Sequence, residues 1–280
     1  MEKQVVIYKS SQICYYRIGT GPRLGLCFHG YGEDAASFAF LEKLAGNQYT
    51  FYAIDLPFHG QTSWKEDLNF THTDLQQIIH ELLLANNINL QVDAPKPDRK
   101  IVLIGFSLGG RVALSLHQAW PNLTERLVLM APDGLKVNFW YWLSTRTWVG
   151  NKLFDFTMKY PGWFFLFLRI INRLGMVNAS IFKFVNFYIG NKGARIQLYE
   201  RWTTLRRLKP NIKRIKSFIL QNKTPVRLIY GRHDRIILPI RGEKFKEGIE
   251  AYCTLKVIAS GHQVLHEKHG DEILESLKER

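Results

Sequence analysis

Cysteine is scarce in this chain: three residues in 280, Cys14, Cys27 and Cys253. An odd number without paired spacing argues against a disulfide framework and predicts buried free thiols in a reducing, cytoplasmic compartment. Long apolar runs are also missing. The longest, WFFLFL at 163–168, is stopped by Arg169, far short of the roughly 20 residues that span a bilayer. The opening MEKQVVIYKSSQICYYRIG alternates apolar and polar residues instead of presenting a signal-like stretch, and it reads as a first strand pair. Internal repeats, low-complexity tracts and any recognisable nucleic-acid-binding module are absent, so no nucleic-acid partner is expected. The remaining scarcity is local: residues 134–221 contain only two acids, Asp155 and Glu200.

That stretch carries 16 of the 38 lysines and arginines, whereas the rest of the chain is balanced at 22 bases and 22 acids. The whole net charge of +14 therefore resides there, together with 19 of the 37 aromatic residues. Such a basic, aromatic segment suits an anionic membrane surface, an anionic substrate or an acidic acyl-carrier protein, with a solvated charged face as the plain alternative. The stretches KLFDFTMK (152–159) and RWTTLRRLKPNIKRIK (201–216) interleave the two residue classes as interfacial helices do.

Strand signals fall at 5–8, 13–18, 24–28, 50–54, 101–104, 126–130, 226–230 and 254–258, with helical periodicity between them from the third onward. This alternation predicts an α/β fold: a mostly parallel eight-stranded sheet, opened by an antiparallel hairpin, with helices on both faces. About ninety residues between the sixth and seventh strands lack a strand signal and are too long for a plain loop. The expected organisation is a core formed by 1–133 and 222–280 and an inserted helical cap, 134–221, over the sheet's carboxyl edge. APKPDRK (94–100) reads as a short loop into the fifth strand.

The run IVLI passes directly into GFSLGGR (105–111), so a strand turns abruptly into a helix at Ser107. A serine at such a turn is strained, and side chains two positions away would collide with it, which accounts for Gly105 and Gly109. The pentapeptide alone recurs by chance, and a serine hydroxyl needs a base, which in turn needs an orienting acid. GRHDRI places Asp234 just past the seventh strand, and ASGHQV places His262 just past the eighth. Three residues at three strand ends, in the order Ser, Asp, His, are far more specific than the turn itself. Asp133, after the sixth strand, is the rival acid, although a turn aspartate explains it equally well. His262, His266 and His269 lack the companion residues of a metal site, so neither metal nor organic cofactor is expected. A developing oxyanion needs two amides: Leu108 N–H at the start of the helix and Tyr31 N–H in HGYGED (29–34).

LCFHGYGED, YAIDLPFHGQTS, IGFSLGG, YGRHDRI and SGH resemble, in order, the oxyanion loop, the D-L-P-G-H-G-x-S loop, the nucleophile elbow, the acid loop and the histidine turn of the α/β-hydrolases with a helical cap. Phe58 departs from that pattern by replacing a loop glycine. The resemblance implies hydrolysis of an ester, thioester or similar bond by Ser107, Asp234 and His262 with Tyr31 and Leu108 as oxyanion donors, and the aromatic richness of the insertion points to an apolar acyl or aromatic substrate. His29, Gly30 and Phe106 are expected to border the substrate, and the cap residues Trp140, Trp142 and Trp163 to line an acyl pocket. SLGGR also resembles the elbow of the menaquinone-pathway synthase that eliminates pyruvate, in which the residue matching Arg111 faces an anionic substrate; a helix-surface ion pair is the alternative. A non-catalytic ligand- or membrane-binding protein on the same scaffold is the third reading.

Overall fold

The computed structural model describes residues 1–91, 97, 99–136, 139–173 and 189–278. Most of the 94–100 loop and the part of the insertion at 174–188 lie outside them. The strands are β1 (Glu2–Tyr8), β2 (Ser11–Ile18), β3 (Arg23–Phe28), β4 (Tyr49–Ile54), β5 (Ile101–Phe106), β6 (Thr124–Met130), β7 (Val226–Gly231) and β8 (Cys253–Ile258). They form one eight-stranded sheet in the order β1-β2-β4-β3-β5-β6-β7-β8. β2 pairs antiparallel with β1 and with β4, and every other pair is parallel. In β5 all six residues are buried, as a strand covered by helices on both faces requires. The edge strand β1 instead alternates, with Val6 and Tyr8 buried and Val5 and Ile7 exposed.

The helices are α1 (Leu41–Ala45), α2 (His72–Ala85), α3 (Leu108–Ala119), α4 (Phe139–Arg146), α5 (Trp148–Lys159), α6 (Gly162–Arg173), α7 (Lys192–Thr204), α8 (Ile212–Asn222), α9 (Ile240–Lys246) and α10 (Gly270–Leu277). The chain divides into two compact units. The first, residues 1–66, 70–136 and 208–280, contains the whole sheet. The second comprises residues 67–69 and 137–207. Its interior is aromatic: Phe154 of α5 meets Tyr199 and Trp202 of α7 at ring separations of 5.3 and 5.9 Å, and Tyr141 of α4 meets Trp202 at 5.3 Å.

Residues 208–221, assigned from sequence to the insertion, pack with the first unit. The reason is the i, i+4 pair Ile215 and Ile219, fully buried on a helix that lies against α3, with Leu208 buried just before it. Asn211 caps that helix by accepting Arg214 N–H at 3.1 Å.

α3 is the most enclosed helix of the sheet unit, buried at every position from Leu108 to His117. His117 is fully buried, and neither ring nitrogen has a hydrogen-bond partner. Burial without a partner disfavours the imidazolium and holds its pKa down to about 4. The unfolded chain, titrating near the usual 6.5, takes up a proton that the folded chain refuses, so this residue costs stability as pH falls from about 6.5 towards 4. The expected loss is about 3 kcal/mol at 1.36 kcal/mol per pKa unit. His117→Leu is expected to remove that part of the acid limb. Urea unfolding at a series of pH values between neutral and 4 checks this, and an unchanged slope in the variant contradicts it.

Candidate active site

β5 ends at Phe106 and α3 begins at Leu108, so a single residue makes the reversal between them. Ser107 does so at φ 49° and ψ −115°, a conformation that L-residues rarely adopt and that costs about 1–3 kcal/mol. Three backbone hydrogen bonds hold it. Ser107 N–H donates to Met130 O at 2.9 Å, and its carbonyl accepts from Gly110 N at 2.9 Å and Asp133 N at 2.8 Å. A Cβ on Gly109 would overlap the Phe28 carbonyl, and one on Gly105 would overlap the backbone of Gly109 and Gly110. The two glycines are thus required by close approach of backbone on both sides of the serine.

Asp234 and His262 follow β7 and β8 at the carboxyl edge of the same sheet. His262 Nε2 lies 3.0 Å from Ser107 Oγ, and its Nδ1 lies 2.7 Å from Asp234 Oδ2. The other carboxylate oxygen of Asp234 accepts Ile236 N–H at 2.7 Å and Ile237 N–H at 2.9 Å. Burial of the Asp234 carboxyl works to raise its pKa, but the hydrogen bonds from His262, Ile237 and Ile236 outweigh it and leave the pKa below the usual value. Asp234 is therefore an anion at neutral pH, which as an acceptor faces His262 Nδ1 and leaves Nε2 turned to the serine hydroxyl. The Phe106 ring packs 5.4 Å from the imidazole and is itself buried, so it supports His262 rather than forming an open substrate wall.

The loop 29–34 leaves β3, the neighbour of β5 in the sheet, which brings Tyr31 and Leu108 to adjacent strand ends. Leu108 N–H, the first amide of α3, has no acceptor within the helix. His29 differs from expectation. It is fully buried, its Nδ1 donates to Gly30 O at 2.8 Å, and its Nε2 accepts Leu56 N–H at 3.1 Å. A ring so engaged pins two loops together and has no face for a substrate. Gly30 is buried as well, and a Cβ there would press on the Phe106 ring.

Two supporting residues were not singled out from sequence. Asp55 accepts Ala35 N–H and Gln61 N–H, each at 2.7 Å, which anchors the 55–61 loop to the start of the helical turn beyond the oxyanion loop. Glu33 accepts Gly30 N–H at 3.2 Å and Gln263 Nε2–H at 2.7 Å, joining that loop to the residue after His262. Asp55 lies inside the DLPFHG motif and was open to recognition; Glu33 carries no pattern of its own. Phe58 holds φ 62°, so the left-handed turn survives without the glycine that usually relieves it.

Arg111 also differs from the substrate-binding reading. It is buried and forms an ion pair with Asp133, which engages the rival acid in the same contact. Asp133 Oδ1 further accepts Gly134 N–H at 2.6 Å. Trp140, Trp142 and Trp163 of the second unit are exposed, and the buried aromatic of α4 is Tyr141. His266 caps the turn Glu267–His269 by accepting Lys268 N–H at 3.1 Å. Among the described residues no three histidine, cysteine or acidic side chains cluster to hold a metal ion.

The strand order, the strained serine turn and the Ser-His-Asp hydrogen-bond chain define a hydrolase-type α/β architecture. The model of the alpha/beta hydrolase family matches residues 26–276, and the chain belongs to that family. An uncharacterized hydrolase of Bacillus subtilis, YugF, is 23% identical over 254 residues, covering 87% of this chain and 84% of its own. A putative esterase/lipase of Mycoplasma pneumoniae is 29% identical over 107 residues, 37% of this chain and 35% of its own. Among solved structures, a thermophilic esterase from Thermogutta terrifontis aligns with a TM-score of 0.67 at 15% identity, over 99% of this chain and 97% of its own. The thioesterase domain of the curacin biosynthetic pathway aligns at 0.61 and 17% identity, over 99% of both chains. At these identities the structural matches speak for the fold.

Proposed function

We propose that this chain is a serine hydrolase that cleaves a carboxylic ester or thioester of an apolar acyl substrate through an acyl-enzyme. The observation that carries the reading is the continuous Ser107–His262–Asp234 hydrogen-bond chain at a strained strand-to-helix turn. Ser107 Oγ attacks the carbonyl carbon while His262 Nε2 takes the hydroxyl proton, and Asp234 stabilises the imidazolium that forms. The carbonyl oxygen becomes an oxyanion held by the amides of Leu108 and Tyr31. The carbon–oxygen or carbon–sulfur bond then breaks, and Nε2 returns its proton to the leaving alcohol or thiol. Water repeats the sequence on the acyl-serine, so one water is consumed and one acid released. The elimination alternative rested on Arg111 facing an anionic substrate, and the Arg111–Asp133 ion pair withdraws that support.

A fluorophosphonate probe is expected to label one site per chain, mapping to Ser107 by peptide mass spectrometry. p-Nitrophenyl esters of increasing chain length are expected to be cleaved with an initial burst. A folded protein that takes no label and shows no burst over the whole ester series refutes the reading.

A further inference from the structure

We infer that the second unit carries a docking face for an anionic lipid bilayer, made by α5 and α6. An amphipathic helix of a globular unit ordinarily turns its apolar stripe inward. Here two consecutive helices turn it outward. On α5 and the capping residue that follows it, Val149, Leu153, Phe156 and Tyr160 follow at i, i+4, i+7 and i+11 and are 49–69% exposed. On α6, Trp163, Leu166, Phe167 and Ile170 follow at i, i+3, i+4 and i+7 and are 40–60% exposed. On the sides away from the stripes, Met158 of α5 and Leu168 of α6 are buried. α5 is already secured there, by the Phe154 contacts, by Arg195 Nε donating to Met158 O at 2.7 Å and by Asn151 Nδ2 donating to Thr203 Oγ1 at 3.2 Å. Among the described residues, the outward stripes are surplus to the packing of the unit.

Charge selects the occupant. Exposed basic residues flank each stripe on one side, Lys152 and Lys159 on α5, Arg169 and Arg173 on α6. The nearest acid on either helix is Asp155, 2.8 Å from Lys159. Residues 137–207 hold eleven lysines and arginines against Asp155 and Glu200. Trp148 and Trp163 stand at the first turns, where amphipathic rings favour the headgroup level. Apolar stripes edged by cations and tryptophan match a bilayer with anionic headgroups. An acidic protein would meet the cations but leave the stripes in water. Among the described residues no helix is long and apolar enough to cross a membrane, so the contact is interfacial.

The full chain is to be floated with vesicles of phosphatidylcholine alone and of phosphatidylcholine with an equal part of phosphatidylglycerol, at low and high salt. Association with the anionic vesicles, weakened by salt, is expected, with a blue shift of tryptophan emission that Trp148→Phe plus Trp163→Phe reduces. Neutralising Lys152, Lys159, Arg169 and Arg173 to glutamine is expected to weaken binding by on the order of 100- to 1000-fold, from about fivefold per basic residue. Leu153→Ser, Phe156→Ser, Leu166→Ser and Phe167→Ser together leave exposed positions polar, so the chain still folds but no longer floats. Ser107→Ala is expected to bind as the parent does, which separates this result from any result on hydrolysis. A folded parent that ignores anionic vesicles overturns the inference, as does binding indifferent to both sets of substitutions. Self-association or capture of an acidic carrier protein without vesicle binding overturns it equally.

Discussion

Ser107→Ala is expected to lower ester turnover by about 10⁶-fold, the cost of losing a nucleophile whose partners then have nothing to activate. The residual rate, some 10³ to 10⁴ above that of water, would come from the oxyanion amides of Leu108 and Tyr31, which the substitution leaves in place. Stability separates a chemical loss from a structural one. Alanine retains a Cβ at φ 49°, and the three backbone hydrogen bonds of position 107 do not involve the hydroxyl, so the melting temperature is expected to stay close to that of the parent. Ser107→Gly relieves the turn and is expected to be equally inactive yet more stable, by about 1–2 kcal/mol, because the left-handed backbone penalises any Cβ. Steady-state hydrolysis of the best p-nitrophenyl ester, read beside thermal unfolding of all three proteins, checks both statements. Turnover within tenfold of the parent in a folded Ser107→Ala variant would remove Ser107 from the chemistry.

Much of the fold could be read from the chain because its signals are local. Each of the eight strands follows from an apolar, β-branched or aromatic run, and β5 was legible as a strand buried on both faces from IVLI alone. The serine turn was legible because GFSLG sets a glycine two positions to either side of the serine, although the contact that requires Gly109 is the Phe28 carbonyl of β3, far along the chain. The positions of Asp234 and His262 followed from the rule that side chains past parallel strands gather at one edge. What failed to show in the sequence depends on partners distant along the chain. Arg111 meets Asp133, 22 residues away, and nothing in SLGGR tells that ion pair from an arginine waiting for a substrate. His29 sits in the most recognisable loop, yet its role follows from the Leu56 amide, 27 residues on. The aromatic stripes of α5 and α6 have the same spacing whether they face a core or water, so periodicity identified the helices and left the direction of their apolar sides open. Residues 208–221 share the basic composition of the insertion yet pack with the sheet unit, because the burial of Ile215 and Ile219, which composition does not reveal, decides their place.

Asp234→Asn tests the polarity of the imidazole rather than its presence, and it is expected to cost about 10⁴-fold in turnover with little change in fold. The asparagine side chain is nearly isosteric and keeps an oxygen that can accept from Ile236 N and Ile237 N, at present 2.7 and 2.9 Å from Asp234 Oδ1. Its amide nitrogen then faces His262 Nδ1 as a donor. Nδ1 must accept, so the imidazole proton moves to Nε2, the nitrogen 3.0 Å from Ser107 Oγ, and the base that should take the serine proton already carries one. The charge argument adds to this. Asp234 is held below the ordinary carboxylate range by those hydrogen bonds, so in the parent its negative charge is present throughout the neutral range to balance the imidazolium. Asp234 stays ionised across the neutral range, so its own protonation is expected to remove the parent's advantage over Asp234→Asn only as pH falls through that depressed value. Fluorophosphonate labelling should slow by a factor close to that of turnover, because both read the nucleophilicity of Ser107. Unimpaired labelling in Asp234→Asn would mean that another acid orients His262, and Asp133, released from Arg111, is the residue to substitute next.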